Sequence, residues 1–123
     1  MIDRESFGAW LVAYERLWRT PGTDYLAELF ADDATYSMGP YEERVAGLDA
    51  IAQLWDAERP DGEQFTVAVE IVAVDGDIGV AQAEVLYSAP REQEFRDVWI
   101  VRFGDDGRAV SFDEWPFWPA GQG

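Results

Sequence analysis

FADDATYSMGPYEERVAGLDAIAQLW, residues 30–55, carries the reading that decides the fold. Phe30 closes an apolar helical stripe, Asp32 and Asp33 break its period, and a strand starts at once, over about 34–38. Gly39-Pro40 then makes a turn, because glycine tolerates positive φ while proline presets φ and lacks a donor. Val45 and Ala46 give a second short strand, and Gly47 opens a helix striped by Leu48, Ile51, Ala52, Leu54 and Trp55. At this helix-to-strand junction Asp32 and Asp33 read as caps for backbone N–H groups rather than as a catalytic carboxylate pair.

On the N-terminal side, Phe7, Trp10, Leu11, Tyr14, Leu17 and Trp18 recur at spacings of three and four. This predicts an amphipathic helix over about 5–19, with Glu15 and Arg19 as an i,i+4 pair on its wet face. Pro21-Gly22 stops it, and Thr23 caps a shorter helix whose apolar face is Tyr25, Leu26, Leu29 and Phe30. On the C-terminal side, Pro60-Asp61-Gly62 ends the helical half and the period changes to two. Strands are expected at about 64–74, 78–88, 94–103 and 108–117, joined by short connections that favour antiparallel pairing. Helices followed by a meander make an α+β protein, one domain over 1–123. The tail at about 119–123 is expected to be its most loosely held part, although Trp118 should anchor the tail's beginning.

The chain has 25 acidic and 9 basic residues, a net charge of −16. Such a field repels nucleic acid and anionic membrane. There is no cysteine, so no disulfide framework or thiolate chemistry. There is no histidine either, which removes Ser-His and Cys-His nucleophiles and histidine zinc sites. The acidic runs Glu42-Glu43 and Asp105-Asp106 lack the spacing of a calcium loop, so no metal is expected. Without a basic stretch followed by an apolar run at Met1, and without a membrane-length apolar segment, the expectation is a cytoplasmic protein.

Strand alternation selects the candidates for chemistry. Asp97 is the single charge on a face shared with Phe95, Trp99, Val101 and Phe103, an environment that raises a carboxyl pKa and suits a general acid or base. Over 78–88, the set Ile78, Val80, Gln82, Glu84 and Leu86 fits a pocket wall. It fits equally a half-wet outer face with Gly79, Ala81 and Ala83 packed under helices. Glu70 alternates away from Phe65, Val67, Val69 and Ile71 and should lie outside. Six Trp, five Tyr and seven Phe are many for this length, and Trp10, Trp18, Tyr36, Trp55, Trp99 and Trp118 form a candidate cage for a planar ligand.

On LFADDATY, the following turn and VAGLDAIAQLW, the chain resembles the nuclear-transport-factor-2-like superfamily and, within it, the SnoaL-like group. The resemblance implies a cone-shaped barrel, a highly curved antiparallel or mixed sheet wrapped on three helices from the N-terminal half, with a deep apolar pocket inside. It also implies a homodimer through the outer sheet face, where Val98 and Ile100 lie. Matching the turn at Gly76 and the pair Arg102-Phe103 to the ketosteroid isomerase branch favours the pocket-wall assignment, placing Gln82, Glu84 and Leu86 inward. Tyr14 then lines up with that branch's oxyanion-hole tyrosine. Met38, however, stands where its base aspartate belongs, and Trp99 stands at its second oxyanion donor, so the ketosteroid isomerase mechanism is rejected. A scytalone-dehydratase type would need histidine, and an epoxide-hydrolase type would need an inward arginine. The polyketide-cyclase type, with one inward aspartate as acid and base, suits Asp97. The expectation is a pocket for a small apolar or aromatic metabolite with cofactor-free chemistry by Asp97, Tyr14 and Glu84. A non-catalytic binding or dimerisation module of the same fold is the alternative.

Overall fold

The computed structural model describes residues 1–122. Helix α1 (Arg4–Arg19) is followed by a single helical turn α2 (Leu26–Leu29), strands β1 (Phe30–Ser37) and β2 (Val45–Ala46), and helix α3 (Leu48–Glu58). The meander is β3 (Gln64–Asp75), β4 (Ile78–Ala89), β5 (Gln93–Phe103) and β6 (Ala109–Phe117). One six-stranded sheet runs in the order β2-β1-β6-β5-β4-β3, with β1 and β6 parallel and all other neighbours antiparallel. It is curved and unclosed, an α+β cone with the helices at its concave face.

Asp3 caps α1 and exchanges hydrogen bonds with Ser6, so two of the orphan donors at the helix start are satisfied. The inward stripe Phe7, Trp10, Leu11, Tyr14 and Leu17 is buried against the sheet. At the start of α3, Gly47 has φ +91°, a conformation that L side chains resist, and its N–H bonds the carbonyl of Ala34. The junction seen in sequence is thus held by a glycine.

Around residues 23–33 the structure departs from expectation. Thr23 gives α2 no side-chain cap; Tyr25 precedes the helix and is exposed. Phe30 already belongs to β1, as do Asp32 and Asp33, which cap nothing there. A register shift between Phe30 and Thr35 lets both carboxylates face water, and Asp32 lies 3.5 Å from Arg108. The extended run of β1 begins at Phe30, so the aspartates sit inside a strand and not at a helix end.

On β4 the sequence expectation is reversed. Gly79, Ala81, Ala83 and Val85 are buried, whereas Gln82, Glu84 and Leu86 are exposed. The cause is the closeness of α1: a Cβ on Gly79 would sit 2.6 Å from a carbon of the Phe7 ring. Small residues are needed where the helix lies on the sheet, and the large and polar ones turn outward. β5 keeps the expected alternation, with Asp97, Trp99, Val101 and Phe103 buried and Arg96 and Arg102 exposed. At the chain's end, the Gln122 side chain exchanges two hydrogen bonds with the backbone of Glu94. Of the tail expected to be loosely held, Gly123 lies outside the described residues.

Candidate functional site

A cavity of about 620 Å³ opens between the ends of α1 and α3 and the concave face of the sheet. Helix α1 contributes Tyr14 and Trp18, β1 contributes Tyr36, the turn just after it contributes Met38, and α3 contributes Trp55. From the sheet come Tyr87, Phe95, Asp97 and Glu114. Of the residues singled out in the sequence, Tyr14, Trp18, Tyr36, Met38, Trp55 and Asp97 meet here.

The others do not. Glu84, Gln82 and Leu86 are on the far side of the sheet, for the packing reason given above. Trp10 and Trp99 are core residues: Trp10 stacks on Tyr14 at 5.3 Å and donates from Nε1 to the carbonyl of Leu29. Trp99 is buried against Tyr14 and Phe112. Trp118 is half exposed and stands edge-on to Phe95, beside a smaller hollow with Phe117 and Pro119.

Asp97 is only 5% exposed. Its Oδ2 accepts from Trp99 Nε1 at 3.1 Å, while Oδ1 is buried with no hydrogen-bond partner. Burial pushes its pKa up to about 6, and the Trp99 bond, which favours the ionised form, offsets part of that rise.

Glu114 is the group that sequence reasoning missed. It accepts a hydrogen bond from the Tyr36 hydroxyl, and Tyr36 is 3.1 Å from the Tyr14 hydroxyl. Burial and the neighbouring Asp97 push Glu114 up to about 7, against the opposing bond from Tyr36. Burial also raises both tyrosines well above their ordinary value, so each remains a neutral hydroxyl. The signal was weak because β6 carries an irregularity: Ala109 pairs with Phe103 and Ser111 with Arg102, so Val110 is an extra residue. Ala109 and Phe112 are consequently both buried, and strict alternation counted from Ala109 would turn Glu114 outward. Asp113, its neighbour, pairs instead with Arg44.

The mouth is more polar. Arg59 donates to the carbonyls of Trp18, Thr20 and Gly22, which ties the chain after α1 to the end of α3. Glu63 accepts from Trp18 Nε1 at 3.4 Å, and its partial burial raises its pKa. No group of three acidic side chains among the described residues is placed to hold a metal ion.

Residues 11–112 match the family model of the SnoaL-like domain. The chain belongs to that family. Solved structures similar to this SnoaL-like domain include a nuclear-transport-factor-2-like protein of unknown function from Mesorhizobium loti, with TM-score 0.71 and 24% identity over 95% of this chain and 96% of that one. Another is a candidate isomerase of the SnoaL-like family from Agrobacterium tumefaciens, with TM-score 0.73 and 15% identity over 92% and 98%. A candidate ketosteroid isomerase from Kribbella flavida has TM-score 0.71 and 20% identity over 97% and 82%. At such identities these likenesses establish the shared fold alone. The SnoaL-like domain is also 34% identical over 80 residues to a tRNA U34 carboxymethyltransferase from Pseudoalteromonas translucida. That stretch is 65% of this chain and spans 23% of that relative's length.

Proposed function

We propose that this SnoaL-like domain binds a small, largely apolar or aromatic metabolite and moves a proton on it without a cofactor. The observation that carries the reading is the convergence of Asp97 and Glu114, with pKa values of about 6 and about 7, in one aromatic-walled cavity. Carboxyls poised near neutrality can both take and return a proton. Asp97, with its unpartnered Oδ1, is the base. It removes a proton from the carbon beside a carbonyl, and the C–H electrons become the enolate.

Tyr14 is the group that meets the developing oxyanion. With Glu114 ionised, Tyr36 donates to Glu114 and Tyr14 donates to Tyr36, so Tyr14 has no proton to spare. With Glu114 protonated the chain of donation reverses, and the Tyr14 O–H is free for the substrate oxygen. Return of the proton from Asp97 to another carbon completes an isomerisation, or to the same carbon an exchange. Glu84 has no part in this scheme, and Glu114 takes the place of second carboxyl.

Incubating the protein in D₂O with a panel of cyclic and aryl ketones, and following loss of α-proton signals by NMR, tests the reading. Exchange should be catalysed by the wild type and fall by about 10²-fold or more in Asp97→Asn, with the circular dichroism spectrum unchanged. Exchange undiminished in Asp97→Asn would remove Asp97 from the chemistry. Ketones that bind without exchanging would favour the non-catalytic module.

A further inference from the structure

We infer that the molecule seated in this cavity carries a positively charged organic nitrogen, a protonated amine on an apolar body, held by Asp97 and Glu114 among aromatic rings. This rests on the pocket reading above, but not on its proton chemistry.

The charge inventory of the cavity is lopsided. Four carboxyls line it: Glu58 at the end of α3, Glu63 before β3, Asp97 on β5 and Glu114 on β6. Tyr14 of α1, Tyr36 of β1 and Tyr87 of β4 add neutral hydroxyls, all three raised by burial. Only two cations, Arg59 and Arg91, share the lining. The terminal nitrogens of Arg59 are committed to three backbone carbonyls, its charge favours ionised Glu63 while its Nε is unpartnered, and Arg91 is exposed on the link between β4 and β5. Among the described residues no basic group makes an ion pair with Asp97, Glu114 or Glu63. A buried carboxyl, Asp97, and a half-buried one, Glu114, therefore share the cavity with no ion-pair partner from the protein, and ionised Asp97 disfavours ionisation of Glu114. Asp97 Oδ1 also lacks any hydrogen bond. A buried acceptor without a partner is destabilising, and a ligand N–H would satisfy it.

The walls suit the same ligand. Trp18, Trp55, Tyr87 and Phe95 line the same cavity as the carboxyls, and ring faces attract ammonium and guanidinium groups. At the mouth this geometry is already in use, with the Arg59 guanidinium 5.1 Å from the centre of the Trp55 ring. A hard metal ion gathers several oxygens around one point, and among the described residues no three of these carboxyls are so placed. An anion would meet both carboxylates, inside a chain whose net charge of −16 repels it before arrival.

The pH dependence has a definite sign. Burial holds Asp97 and Glu114 up to about 6 and about 7. A bound cation favours their ionised forms, so its affinity should rise with pH through that interval.

Phenethylamine, phenylethanol and phenylacetate share one apolar body and carry a cation, a neutral group and an anion. Their binding, followed by calorimetric titration at fixed ionic strength near pH 5 and near pH 8, decides the matter. The amine should bind the wild type about tenfold or more tightly than the alcohol near pH 8, with the acid weakest, and lose most of that preference near pH 5. Asp97→Asn and Glu114→Gln should each narrow the gap between amine and alcohol. Alcohol binding as tightly as amine near pH 8 would overturn the cation while leaving the pocket standing. Failure of all three to bind at millimolar concentration would remove the pocket reading, and this inference with it.

Discussion

Asp97 illustrates how little of a residue's chemistry lies in its own identity. Alternation along β5 places it on the inward face, and its large apolar neighbours imply a raised pKa, so both are readable in the sequence. What alternation does not show is the hydrogen bond from the indole two residues on, or the lack of one at Oδ1. Trp99 stands where a related mechanism would want an acid, yet here it acts on Asp97 by stabilising the ionised carboxylate. Replacing Trp99 with Phe should therefore move the Asp97 titration further upward, read from its side-chain carboxyl signal in ¹³C NMR. The smaller ring in a fully buried position should also cost on the order of 1–3 kcal/mol in urea unfolding. An Asp97 midpoint that stays put or falls in that variant would show that burial alone sets it.

At the scale of the element, β5 was legible and its two neighbours were not, for separate physical reasons. β4 offers two faces of comparable plausibility, and only the approach of α1, with Phe7 against Gly79, decides between them. No pattern within the strand contains that contact. β6 hides Glu114 behind one extra residue at Val110, and a period-two reading has no means of detecting a bulge. β5, by contrast, sits between two strands and keeps unbroken pairing with β4 from Ile78 opposite Arg102 to Tyr87 opposite Gln93, so its alternation is faithful. Its outer face is the basis of a proposed homodimer. Val98 lies across from Gln82 and Trp115, Ile100 across from Val80 and Asp113, and both are only partly buried, on the face opposite buried Asp97 and Trp99. Sedimentation equilibrium should return twice the 13.9 kDa chain mass at tens of micromolar protein. Ile100→Glu should return the single mass with the fold intact, and the dimer should tighten with added salt because like-charged subunits repel. A wild-type monomer at those concentrations would discard the interface.

Folding the whole molecule confines Asp97 and Glu114 together without a compensating cation, and that has a cost in stability at neutral pH. Their ordinary values are 3.8 and 4.5, and burial lifts them to about 6 and about 7. The folded state thus binds these two protons more tightly than the unfolded state does. The resulting stabilisation is fully present below about pH 4 and is lost as pH rises to about 7, after which it changes no further. Self-repulsion within a chain of net charge −16 pushes in the same direction as surface carboxylates ionise, so a falling curve alone does not single out this pair. Substitution separates the two effects, because removing two buried charges leaves most of the surface field in place. The double variant Asp97→Asn, Glu114→Gln should be more stable than wild type near pH 7 by about 1–3 kcal/mol, since uncompensated buried charge is costly. Near pH 4, where the native carboxyls are already neutral, the two proteins should converge. Urea unfolding across this range measures both limbs. Equal stability near pH 7 would mean that the pair is solvated or paired in solution, and the site would lose the electrostatic tension on which both its proton chemistry and its preference for a cation depend.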